Sequence, residues 1–284
     1  MIRTIAPLEF TQGTIFTCAT AENYEGPSTV GMVITARCDA AHEKVEIYNY
    51  VPVVPIESWI LRDGRELLAK RASAAARGAM RAVLTDAGMA PVILESLALN
   101  AIQEELEKDI SKKGRGIAIR FSKAADLMSA AVQASGDEVS RQDSFTYLEA
   151  NEGDCKRLIG ELLANALADF HYLTSVQPGE TSCGYVALLR EIRFVSASLA
   201  KGISGGLDRE TYEALAGGSA KAAHQLQILS DNDFAMPIGA VESPHIELIM
   251  QRLTQLFSRI GVADIPKERA DSVQSLLDSM RRDF

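Results

Sequence analysis

Two textures of apolar and polar positions divide this chain. Over residues 14–60, short apolar runs are broken by turn chemistry, the pattern of β-strands. Residues 14–18 form a first strand after Gly13, and the polar stretch 22–28, with its Gly26-Pro27 step, reads as a loop. Residues 31–37 form a second strand, in which Met32, Ile34 and Ala36 share one face and Val33, Thr35 and Arg37 the other. A third run, 49–56, carries Pro52 and Pro55, which cannot donate to a ladder, and is therefore expected at an edge or a bulge.

Beyond Arg62 the pattern changes to long Ala/Leu-rich segments with charges at helical spacing. Residues 64–86 predict a helix with Leu67, Leu68, Ala75, Ala79, Ala82 and Val83 in its buried stripe, and Gly88 just past its end. Pro91 opens a second helix, to about Ile110. Residues 117–134 read either as a strand over 116–121 that turns helical or as helix throughout. Asp154 is the expected N-cap of a helix reaching Phe170, residues 185–201 form another, and residues 201–206 are a flexible link. Ser243 and Pro244 start the clearest helix, with Ile246, Ile249, Leu253, Leu256, Phe257 and Ile260 apolar and Gly261 as its stop. A last helix spans 266–282. No fixed-period repeat appears, so solenoids lose support. The expected class is α+β: a small β-barrel-like unit over 1–61, then a predominantly α-helical domain over 62–284.

Composition narrows the function classes. The 284 residues are 47% hydrophobic and 24% charged, enough apolar material for a packed core. A net charge of −9 repels nucleic acid at long range, so a nucleic-acid role needs a local basic patch. The first ten residues lack the pattern of a secretory signal, and no run of eighteen uncharged apolar residues occurs, so a cytoplasmic protein without membrane association is expected. Cys18, Cys38, Cys155 and Cys183 are scattered without metal-ligand spacing and are expected as free thiols. The common phosphate-cradle, nucleophile-elbow and zinc-protease motifs are absent, and neither a metal nor a cofactor is expected.

Two residue groups carry candidate chemistry. Arg37, Cys38, Asp39 and His42 follow the second strand, and a thiol beside a carboxylate and an imidazole is an activated-nucleophile pattern. The same cation, acid and base suit RNA cleavage. Arg62, Arg65, Lys70 and Arg71, with Lys112, Lys113 and Arg115, are candidates for a phosphate-facing patch, although interspersed acids also fit a solvated helix face. His171, His224 and His245 are expected in structural or solvated roles.

The pieces Gln12-Gly13-Thr14-Ile15-Phe16, Gly31-Met32-Val33-Ile34-Thr35 and Val53-Val54-Pro55-Ile56 resemble the SH3-like barrel of MazF/PemK-type toxins over about a fifth of the chain. The resemblance implies an SH3-like barrel at the N-terminus and a bacterial toxin–antitoxin or defence context. The family's Arg-Pro before the central strand and its Thr or Ser after the final Pro-Ile are replaced here by Val30-Gly31 and Ile56-Glu57. Two functional readings follow. The first is a non-catalytic protein-interaction component of a bacterial accessory or defence system, binding a protein partner or itself. The alternative is an endoribonuclease-like or nucleic-acid-binding protein acting through the barrel.

Overall fold

The computed structural model describes residues 1–24, 26, 28–41, 45–136, 138–216 and 225–258. Its strands are β1 (Ile2–Arg3), β2 (Thr14–Phe16), β3 (Val30–Val33), β4 (Ile47–Pro55), β5 (Phe170–Leu173), β6 (Tyr185–Leu188), β7 (Arg193–Ser196) and β8 (Pro237–Val241). All belong to one curled antiparallel sheet in the order β1-β8-β2-β3-β4-β6-β5, with β7 also paired to β4. The helices are α1 (Arg37–Ala41), α2 (Ile56–Trp59), α3 (Arg65–Asp86), α4 (Leu99–Glu107), α5 (Lys112–Gln133), α6 (Arg141–Ala150), α7 (Glu152–Leu163), α8 (Ala197–Gly205), α9 (Arg209–Ala216) and α10 (His245–Ser258). A π-helical turn over Ile60–Gly64 joins α2 to α3.

The α+β class holds, but strand structure does not stop near residue 61. Four strands, β5 to β8, return after the helices α3 to α7 and complete the sheet begun by β2, β3 and β4. The helix expected to reach Phe170 starts at Glu152 and stops at Leu163, and Phe170 opens β5. The helix expected over 185–201 is instead the strands β6 and β7 followed by α8, which also absorbs the expected link 201–206. Four-residue apolar runs carry no decisive period. What makes them strands is pairing: Val186 stands opposite Val54 of β4 on one side and Tyr172 of β5 on the other. Residues 117–121 go the other way, lying inside α5, whose first turn is capped by Ser111 accepting the Gly114 N–H at 3.0 Å.

The proline-bearing strand β4 lies in the middle of the sheet, not at its edge. β4 pairs with β7 over residues 47–50 and with β6 over 53–55, so Pro52 falls in the gap between those two neighbours. Its missing N–H costs no ladder bond there. On the other side, Pro52 stands opposite Gly31 of β3.

Both faces of the sheet are buried. Tyr48 and Tyr50 of β4 join Phe16, Val33, Leu199 and Ile203 on one face. Val51 and Val53 join Ile15, Met32, Ile246 and Ile249 on the other, which α10 covers. Trp59, Val54, Leu158 and Leu162 continue the core toward the helices. The helices α3 and α5 run antiparallel around Met80, Leu84, Ile102 and Phe121. The buried apolar stripe of α3 is Leu68, Ala69, Ala76, Met80, Val83 and Leu84, while Ala75, Ala79 and Ala82 face outward, because α5 packs about one residue's rotation away from the expected side. Of the expected α10 stripe, Ile246, Ile249 and Leu253 are buried and Phe257 is exposed. Ile260, Gly261 and the expected helix 266–282 lie outside the described residues. Among the described residues, no helix is long and apolar enough to cross a membrane.

Candidate interaction surface

The described residues among those singled out by sequence lie in separate places. Arg37, Cys38 and Asp39 lie exposed on the one-turn helix α1. The Cys38 thiol donates to Asp39 Oδ1 at 3.5 Å, whereas the Arg37 guanidinium reaches toward α10, 3.8 Å from Glu247 Oε1. His42 lies outside the described residues, as does His224.

The basic candidates are divided between the two ends of the α3/α5 pair. Arg65 is buried, and its guanidinium donates to the carbonyls of Leu61 (3.1 Å), Ala134 (2.5 Å) and Gly136 (2.8 Å), stapling the start of α3 to the end of α5. Arg71 makes a two-pronged pair with Glu161 of α7, at 3.1 and 2.6 Å, and Lys70 pairs with Glu66 at 2.6 Å. Arg62 donates to the Asn23 carbonyl at 3.0 Å and lies over the Tyr24 ring, 5.5 Å from its centre. Lys112, Lys113 and Arg115 are exposed at the opposite end, the length of a 22-residue helix away, about 33 Å.

A cleft of about 480 Å³ opens beside Arg62, lined by Tyr24, Asp63, Glu191, Asp169 and Arg190 among others. Several of its charged groups are held by partners within the protein. The Tyr24 hydroxyl donates to Asp63, Glu191 accepts the Glu22 N–H at 2.6 Å and pairs with Arg193 at 2.7 Å, and Arg190 pairs with Asp169 at 2.6 Å. Burial holds the Asp63 carboxyl above its ordinary range against the Tyr24 and Arg62 contacts. The cleft braces the loop before β3 against the π-helical turn. Among the described residues, no group of three or more His, Cys, Asp or Glu side chains is placed to hold a metal ion.

A different surface stands out by its backbone. Ala6, Pro7, Leu8 and Glu9 form a β-turn closed by the Glu9 N–H on the Ala6 carbonyl at 3.1 Å. With proline second and φ of +63° at Leu8, this is a type II turn, whose third position normally takes glycine or asparagine. Of the four non-glycine residues with positive φ among the described residues, Asn23 and Asn165 are of the tolerant type, and Cys18 is buried, with its thiol pushed up to about 11 by that burial. Among the described residues, Leu8 alone combines positive φ with an exposed apolar side chain, 73% accessible. Glu9 holds the turn by accepting both the Ala6 N–H at 3.1 Å and a two-pronged ion pair from Arg3.

Leu8 and other exposed apolar side chains lie on segments that pack at α8 and the turn after it. Leu8 Cδ2 approaches Gly205 at the end of α8, and the Phe234 ring lies against Gly206, where an added Cβ would stand 2.6 Å from it. Leu215 of α9 packs over Gly202. Ala235 bridges to Leu207 and points inward, so Phe234 and Met236 on either side of it face out together. Most of the backbone here is engaged: Leu207 and Ala235 exchange two hydrogen bonds of 2.9 Å, the Thr17 hydroxyl donates to Phe234 O at 2.6 Å and accepts from Met236 N at 3.0 Å, and Thr17 N–H donates to Met236 O at 3.0 Å. Leu229 is also exposed, and its carbonyl accepts from Arg209 Nη1 of α9 at 3.4 Å.

Comparison with protein-family models, with curated proteins and with solved structures finds no match. Sequence reasoning missed the Leu8 surface. The one available signal was Pro7, which presets the second position of a turn; nothing in the composition announces a leucine in the third.

Proposed function

We propose that this protein is a non-catalytic protein-interaction component that docks a partner on the Leu8, Phe234 and Met236 surface. The observation that carries the reading is the conformation of Leu8. A left-handed backbone costs a leucine about 1–2 kcal/mol. A glycine there would be free of that strain, and an exposed leucine gains little from folding. An apolar side chain held in strain at the tip of a braced turn gains only when something covers it. In this reading the curled sheet is an SH3-like scaffold, and the four free thiols suit the reducing cytoplasm of a bacterium, in an accessory or defence system.

The nucleic-acid alternative loses ground because Arg65 is buried on backbone carbonyls, Arg71 is paired with Glu161 at the surface, and the remaining cations sit at opposite ends of a long helix pair. The test uses two affinity matrices, one bearing the wild-type chain and one Leu8→Gly. The reading expects a defined protein, identified by mass spectrometry, to be retained by the first and lost from the second, while both chains melt cooperatively. Identical retained sets would overturn it.

A further inference from the structure

We infer that the partner segment seated on this surface is a basic amphipathic helix, an inference that rests on the docking role of Leu8 proposed above. The surface is built from three separate pieces, the turn at Leu8, α9 with Leu215, and the segment from Leu229 to Met236. The Phe234 carbonyl and both backbone groups of Ala235 and Met236 are already occupied by Thr17 and Leu207, so an incoming chain finds no run of open ladder groups there and cannot add as a strand. Recognition must come from side chains, which is how a helix with an apolar stripe binds.

The rim sets the charge of that helix. Asp208, Glu213, Asp231 and Asp233 are carried by the same segments as Leu215, Leu229 and Phe234, with Arg209 as the cation paired among them. Asp208 caps α9, accepting the Thr211 N–H at 2.8 Å, and Asp233 accepts the N–H groups of Leu229 and Ser230 at 2.8 and 2.7 Å. Those donors hold both carboxyls below their ordinary range, so they stay charged in mildly acidic solution. Arg209 is tied to Glu213 at 2.8 Å and lies 3.7 Å from Asp231, whose side chain is 93% exposed. An apolar patch with an anionic rim complements leucines on one helix face flanked by lysine or arginine.

The experiment titrates the full chain with three labelled amphipathic peptides of about 18 residues, long enough to cross the surface as a helix. They share one leucine stripe, with lysine, glutamine or glutamate on the remaining positions. The Leu/Lys peptide should bind about tenfold more tightly than Leu/Gln, and Leu/Glu should not bind. Leu8→Gly should weaken Leu/Lys binding about tenfold without lowering the melting temperature, and Asp231→Asn should weaken it about threefold and flatten its salt dependence. If all three peptides bind alike and Leu8→Gly weakens each, the basic character is overturned while the docking role stands. If the wild-type chain binds none of them, or Leu8→Gly changes nothing, the docking role fails as well.

Discussion

Arg252 points its Nη1 at Nδ1 of the buried His171, 2.9 Å away, and donates Nη2 to the carbonyls of Leu167 and Phe170 at 2.6 and 3.0 Å. An arginine donates only, so His171 must accept at Nδ1 and is neutral in this arrangement. Burial first, then the facing Arg252 and the nearby His245, push the imidazole down to about 4. Since the unfolded chain takes up this proton near pH 6.5, it binds more protons than the folded chain between about pH 6.5 and 4. Stability should therefore fall as pH drops through that window, with this histidine responsible for about 3 kcal/mol of the loss. Unfolding in urea at pH 7 and pH 4.5 checks it. In His171→Gln, whose amide oxygen accepts from Arg252 at either pH, the acid sensitivity should shrink by that amount.

Gly31 is fixed by its neighbours. A Cβ built on it overlaps the Phe16 ring and stands 2.9 Å from Tyr50 Cδ2, and those two rings meet edge to face at 5.1 Å. Gly31→Ala should force both aromatics off their packing and cost about 2–3 kcal/mol. Denaturant midpoints measure this, and an unchanged midpoint would mean that the sheet yields more readily than its geometry indicates.

The strands β2, β3 and β4 were legible because their apolar residues alternate or run continuously between clear turns, as at Met32 and Ile34 or Val51 to Val54. The strands β5 to β7 were not, since Phe170 to Leu173 and Tyr185 to Leu188 sit among Ala/Leu-rich residues and acquire their identity only by pairing with each other and with β4. Pro52 misled for the same reason: its place in a gap between two partner strands is a property of the assembled sheet. Leu8 was illegible because its significance lies in a φ angle, and no local pattern encodes a glycine-type conformation at a leucine.

Arg65 separates a structural cation from a binding one. Arg65→Met keeps the length of the stem but leaves the carbonyls of Leu61, Ala134 and Gly136 without their donor. The expected cost is about 3 kcal/mol of stability, read by urea denaturation. Binding of the Leu/Lys peptide at saturating folding conditions should be unchanged. Lys113→Ala, on an exposed position at the other end of the helix pair, should leave both quantities within about 0.5 kcal/mol.

The Tyr24 and Asp63 pair yields a test with the opposite sign to that of His171. Burial raises the Asp63 carboxyl above its ordinary range, and the Tyr24 hydroxyl and Arg62 only partly offset this. Between the unfolded value and the raised folded one, the folded chain holds the proton that the unfolded chain has released, so ionising Asp63 lowers stability as pH rises through that interval. Asp63→Asn removes the titration while keeping an oxygen that accepts from Tyr24. At pH 7 the variant should melt above the wild type, and the gain should vanish at pH 3, where both side chains are neutral. A variant that melts lower at pH 7 would show instead that the charged carboxylate is stabilised by Arg62 more strongly than burial opposes it, and would reverse the sign assigned here to the cleft.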